Sequence, residues 1–134
     1  MKKRGVKKVL HQDVNSINEK YDTLLFMMNG IGLTGSLPGF IDFLEKAKKL
    51  INPNGQLIFD SSDISYLYDF LPKPKNQYFG EVNYLYKYKQ QKGEWFSWLY
   101  LDRETMLATA KQCGWQCSIV ADDGEDHFLV RLVL

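Results

Sequence analysis

"YDTLLFMMNGIGLTGSLPGFIDFLEKAKKLINPNGQLIFDSS", residues 21–62, carries the pattern that decides the fold. After Asp22 the residues are uncharged and mostly apolar through Met28, which predicts a strand covered on both faces, as in the interior of a parallel sheet. Ser36 can cap a helix and Pro38 is tolerated in its first turn. Phe40, Phe43, Leu44, Ala47, Leu50 and Ile51 then recur at helical spacing. Asn52-Pro53-Asn54-Gly55 stops that helix, with Gly55 expected in the left-handed turn. "GQLIFDSS" (residues 55–62) follows as a second apolar strand ending in Asp60, Ser61 and Ser62. Strand, helix and strand make a βαβ unit, whose crossover is right-handed.

The flanking segments extend this unit on both sides. "KKVLHQDV" (residues 7–14) predicts a brief strand that delivers Asp13 to a loop. Beyond residue 62 the alternation of helix and strand gives way to an inserted aromatic hairpin over residues 80–101. "EVNYLYKYK" places Val82, Tyr84, Tyr86 and Tyr88 on one face, "QQKG" turns, and "EWFSWLYLD" returns. Asp102 caps a second helix in which Met106, Leu107 and Ala110 face inward, and Gly114 ends it. "WQCSIVADD", a turn at Gly124 and "DHFLVRLVL" give a closing antiparallel pair at a sheet edge.

Gly30-Ile31-Gly32-Leu33-Thr34-Gly35 spells G-x-G-x-x-G between strand and helix, and Asp60 ends the next strand where a ribose-binding acid would stand. This supports one alternative, a fragment of a dinucleotide-binding oxidoreductase. The third glycine of a true fingerprint lies inside its helix, however, whereas Ser36 and Pro38 start this helix after Gly35.

The composition suits one soluble α/β domain over residues 1–134, with 45% hydrophobic and 25% charged residues. With 17 Lys and Arg against 16 Asp and Glu, the net charge of +1 argues against unaided binding of nucleic acid or of an acidic membrane surface. The one basic cluster, "MKKRGVKK", reads as a solvated end. Cys113 and Cys117 lack a second ligand pair for zinc, and His11 and His127 lack partners at metal-ligand spacing, so no metal is expected and both histidines read as ordinary polar residues. Reduced cysteines, no signal-peptide pattern and no apolar run near ~20 residues predict a cytoplasmic protein with no membrane span.

In order and spacing the chain resembles the C-terminal two thirds of class I S-adenosylmethionine-dependent methyltransferases. "MKKRGVKKVLHQDV" is similar to the helix end and third strand of that fold, "YDTLLFMMNG" to the fourth, and "LEKAKKLINPNGQLIFD" to the next helix and fifth strand. "GW" with the closing hairpin is similar to the sixth and seventh strands. The resemblance implies a partial Rossmann-like methyltransferase sheet of the α/β class, parallel in part, with antiparallel C-terminal strands and the hairpin inserted. It implies S-adenosylmethionine as cofactor, Asp13 and Val14 beside its adenine, and Asn29 and Gly30 at its methionine end. Asn29, Ile31, Asp60 and Ser61 are the implied acceptor-binding residues, and no residue is assigned as catalytic.

The family's first strand with its acidic-glycine loop, and its second strand, have no counterpart here. The chain alone is therefore expected to bind S-adenosylmethionine weakly or not at all and to be inactive, as part of an enzyme that methylates a small-molecule acceptor. In the family the first strand lies beside the fourth, so its loss leaves "LLFMM" an open edge and predicts homo-oligomers. The other alternative is a noncatalytic α/β domain that binds a partner through Trp95, Trp98 and the rest of the aromatic hairpin.

Overall fold

The computed structural model of the protein describes residues 2–134. Its main sheet has four strands: β1 (Tyr21–Phe26), β2 (Ile51–Ser62), and two from the C-terminus. β1 and β2 run parallel, joined by helix α1 (Leu37–Leu50), as the βαβ reading requires. The aromatic insertion contributes β3 (Glu81–Tyr84), β4 (Lys87–Tyr88), β5 (Gln91–Lys92) and β6 (Phe96–Leu99), in two antiparallel pairs outside the main sheet. Helix α2 (Arg103–Gln112) leads into β7 (Gln116–Asp122) and β8 (His127–Val133). β8 adds antiparallel to β2, giving the order β1-β2-β8-β7. This mixed sheet with antiparallel closing strands is the fold class expected.

Local chemistry explains the helix ends. Ser36 accepts from the Gly39 N–H at 3.1 Å, and Glu81 Oε1 accepts from the Leu37 N–H at 2.9 Å, so two orphan donors of α1 are satisfied. Asp102 caps α2 through the Thr105 N–H at 2.8 Å. Gly114, at φ 76°, ends it, with Trp115 N–H returning to the Ala110 carbonyl.

The core lies on one face of the sheet. Phe40, Phe43, Leu44 and Ala47 of α1 and Met106 and Ala110 of α2 pack with Leu57, Phe59, Phe128, Val130 and Leu132. Phe26 meets Phe43 edge-on at 5.0 Å and Phe40 meets Phe59 at 5.8 Å.

Five details of the sequence reading are corrected. β1 lies at the open edge expected of it but is covered on one face only, because both helices pack on the same side and Leu25, on the other, is 60% exposed. Residues 7–14 form no strand, since no neighbouring strand offers them backbone partners; Asp13 instead caps a short 3-10 turn, Val14–Ser16. Met1, in the cluster that opens this stretch, lies outside the described residues. The left-handed residue after α1 is Asn54 (φ 65°), whereas a Cβ on Gly55 would stand 2.9 Å from the Asp22 carbonyl oxygen, so Gly55 serves close approach to β1. The hairpin turns at Lys89 and Gln90, between the Tyr88–Gln91 pair, with Lys89 at φ 55°, and not at "QQKG". In α2 it is Thr109 that is buried, while Leu107 is 37% exposed.

Candidate functional site

The glycine loop is a short 3-10 helix, Gly30–Thr34, ended by Gly35 at φ 72°. Its amides turn inward, with Gly32 N–H bonded to the Asn29 carbonyl and Gly35 N–H to that of Gly32. A Cβ on Gly32 would lie 2.1 Å from Trp98 Nε1, so this glycine exists to let the indole of β6 press against the loop backbone. The helix N-terminus that would receive a pyrophosphate already holds the Glu81 carboxylate. Gly32, Gly35 and the helix N-terminus are thus engaged by the aromatic insertion, and Asp60, the acid that would hold a ribose, is engaged by Asn29 and His127.

The chain turns sharply at the carboxyl end of β1. Met28 (φ 62°) and Asn29 (φ 51°) are consecutive left-handed residues, a conformation that costs roughly 1–2 kcal/mol per non-glycine residue. The turn aims the Asn29 N–H at Asp60 Oδ2, 3.0 Å away at the end of the adjacent parallel strand. The Asn29 side-chain amide donates to the Leu99 carbonyl at 3.3 Å, anchoring the hairpin to the same point. Asp60 is only 3% exposed, and its Oδ2 also meets His127 Nε2 at 2.8 Å. Asn29 Oδ1 and Asp60 Oδ1 are buried acceptors without a partner among the described residues. Unpaired buried acceptors are costly, and two of them suit a ligand that brings N–H or O–H donors. A recess of about 360 Å³ opens beside Asp60, lined also by Met27, Ala121, Asp123, His127 and Leu129 among others.

Asn29 and Asp60 are thus brought together. Gly30 follows Asn29 with ordinary space at its Cβ position, 3.6 Å from Phe26 Cβ. Ile31 is fully buried in the core. Ser61 is equally buried, its Oγ accepting from the Leu101 N–H at 2.9 Å. Neither side chain presents itself to the recess: alternation along β2 sends Ser61 to the core face, and Ile31 plugs the loop from beneath. Asp13 accepts from the Asn15 N–H at 2.6 Å and has no hydrogen bond to the Asn29–Asp60 group. Val14 lines an apolar recess of about 190 Å³ against Leu24 and Phe26.

His127 is the site residue that sequence reasoning missed. It is 67 residues from Asp60, so no spacing rule connects them. The usable signal was topological: the start of β8 lies opposite the end of β2, pairing His127 with Ser62.

No family model and no curated protein sequence matches the chain. Solved structures do, and the chain has the fold of the class I S-adenosylmethionine-dependent methyltransferases. It is similar to a methyltransferase from Bacteroides fragilis, solved with S-adenosyl-L-homocysteine, at 32% identity and a TM-score of 0.85 over 100% of this chain and 57% of that one. A methyltransferase from Clostridium acetobutylicum aligns at 13% identity and TM-score 0.63, over 99% of this chain and 67% of that one. A DhpI–SAM–HEP complex aligns at 15% identity and TM-score 0.62, over 92% and 56%. The chain therefore spans little more than half the length of the Bacteroides protein. Among the described residues no helix is long and apolar enough to cross a membrane, and no three His, Cys, Asp or Glu groups converge to hold a metal.

Proposed function

We propose that this chain is the C-terminal part of a cytoplasmic S-adenosylmethionine-dependent methyltransferase acting on a small-molecule acceptor. The observation that carries the reading is the match to the Bacteroides methyltransferase, whose complex contains the demethylated cofactor. When bound, the cofactor supplies an electrophilic methyl group for direct displacement, so the protein's work is positioning and exclusion of water. Asn29, with its unpaired buried Oδ1, and Gly30 would face the methionine end, and Asp60 the acceptor. Asp13 and Val14 would meet the adenine. The two cysteines are free, in keeping with a reduced compartment.

This chain alone binds the donor weakly or not at all in this reading, and it self-associates through the open edge of β1. Titration calorimetry with S-adenosylmethionine is expected to show no saturation in the micromolar range, and methyl transfer is expected once residues upstream of Met1 are added. Micromolar binding by the chain alone would refute the first expectation, and no transfer by the extended protein would refute the methyltransferase reading. Sedimentation should show oligomers that Leu25→Lys dissociates, since a charge on an edge strand blocks pairing.

One observation favours a second reading, a noncatalytic partner-binding domain: Tyr86, Tyr88 and Trp95 of the hairpin are 72%, 70% and 67% exposed. Trp95→Ala separates the two. Loss of a bound partner unconnected to any methyl donor supports the second reading, whereas an unchanged partner and restored transfer support the enzyme.

A further inference from the structure

We propose that His127 is a catalytic residue, the group that takes the acceptor's proton, and that Asp60 is its positioning residue. The inference rests on the methyltransferase reading and extends it to a side chain to which that reading assigns nothing. Three observations carry it. Asp60 is buried at the carboxyl end of β2, the end of a parallel strand where ligands sit, and its Oδ2 lies 2.8 Å from His127 Nε2. A carboxylate there selects the tautomer with the proton on Nε2, leaving the lone pair on Nδ1. The imidazole is half-exposed, at 51%, and it lines the recess of about 360 Å³, with no hydrogen bond to Nδ1 among the described residues.

The backbone holds this arrangement from both sides. The Asn29 N–H shares Asp60 Oδ2 with the imidazole, and the His127 N–H donates to Asp123 Oδ1 at 3.1 Å. The ring is therefore steered from β2 and its main chain from the β7–β8 turn. Asp122, also on the rim, is already paired with Arg103 at 2.6 Å, and Asp123 Oδ1 is taken by backbone N–H groups of Glu125 and His127, so His127 Nδ1 is the ring nitrogen open to the recess.

Met27, Ala121 and Leu129 give the recess apolar walls, so the acceptor it suits is a small molecule with an apolar body and one O–H or N–H group. In the proton step, the O–H bond of a hydroxyl acceptor, or one N–H bond of an acceptor that enters as an ammonium, breaks and its electron pair stays on the oxygen or nitrogen, which becomes the nucleophile. The proton passes to Nδ1, and the imidazolium so formed is stabilised by the Asp60 carboxylate. A positioned base of this kind contributes typically ~10²–10⁴-fold to rate.

The test uses the 134-residue chain without a methyl donor. Nitrogen-15 spectra of the imidazoles should show His127 as the Nε2–H tautomer, with His11 as the internal reference. Asp60→Ala, which removes the oxygen shared by the Asn29 N–H and the imidazole, should turn His127 into a tautomer mixture while the amide spectrum away from residues 29 and 127 stays native. p-Cresol as the O–H probe, or benzylamine as the N–H probe, should shift the Nδ1 resonance, and His127→Gln should abolish the probe-induced shifts of Met27 and Ala121. A wild-type Nδ1–H tautomer, a tautomer indifferent to Asp60→Ala, or neither probe perturbing His127 would overturn the proposal and leave the methyltransferase reading to the upstream-extension experiment. Failure of that experiment removes the proton-transfer role whatever the tautomer.

Discussion

Gly32→Ala puts a methyl group where the structure has an indole. The new Cβ would stand 2.1, 2.4 and 2.5 Å from Nε1, Cδ1 and Cε2 of Trp98, all inside contact distance, so the hairpin must retreat. Overpacking of this kind costs about 1–3 kcal/mol, and roughly 4 °C of melting temperature is lost per kcal/mol in a domain of this size. The backbone does not object, because Gly32 lacks the positive φ of Gly35. Removing the indole should therefore remove the penalty. Trp98→Ala costs about 2 kcal/mol by itself, since the ring is only partly buried. In that background Gly32→Ala should become neutral, or even stabilising by about 0.4–1 kcal/mol through the unfolded chain. Urea unfolding of the four proteins, at constant m-value, gives the coupling directly. Equal cost of Gly32→Ala with and without Trp98 would refute the packing account. A neutral Gly32→Ala in the wild type, accompanied by loss of nucleotide binding, would restore the phosphate-cradle reading.

Two further outcomes are expected. Asp102→Ala removes the cap on the Thr105 N–H and the carboxylate that accepts from the Tyr78 hydroxyl, and should cost about 1–2 kcal/mol in thermal unfolding, with Asp102→Asn costing less. Burial works against the Asp102 charge, but hydrogen bonds from Thr105 and Tyr78 outweigh it and hold the carboxyl below its usual value, so its share of stability is kept at neutral pH and lost in acid. For Asp122, the Arg103 guanidinium and then the Gly124 N–H lower the carboxyl to about 2 from an ordinary 3.8. Its contribution is thus complete above pH 3.8 and disappears as pH falls through about 2, so acid unfolding of Asp122→Asn should be shallower across that window.

What the sequence made legible was local chemistry. Ser36, Pro38 and the spacing from Phe40 to Leu50 specify α1 without outside help, and Asp102 with Gly114 does the same for α2. Asp60 was legible as a strand-end acid because "QLIFD" is a strand in any context that buries it. Contacts between distant elements were not legible. Nothing near Gly32 announces Trp98, nothing near Leu37 announces Glu81, and His127 meets Asp60 only because β8 inserts between β2 and β7. Residues 7–14 failed for a related reason: an apolar stretch becomes a strand only where a neighbour offers backbone partners, and propensity does not say whether one is present.

The run from Leu24 to Met28 draws these threads together. Its alternate residues are apolar on both sides, yet Leu24 and Phe26 face the core while Leu25 and Met27 are 60% and 47% exposed. Across the same open face stand Ile58, beside Leu25, and further along Val120, 51% exposed. Toward the amino end of β1 the same face is polar, with Thr23, Gln56 and Arg131 hydrogen-bonded in a row, so it is the apolar part from Leu25 to Val120 that fits a surface covered by a second layer. The Asn29–Asp60–His127 group lies at the carboxyl end of that face, where such a layer would close the recess over His127 and exclude water from proton transfer. Donor binding, self-association through β1 and the reactivity of His127 should therefore change together when the face is covered.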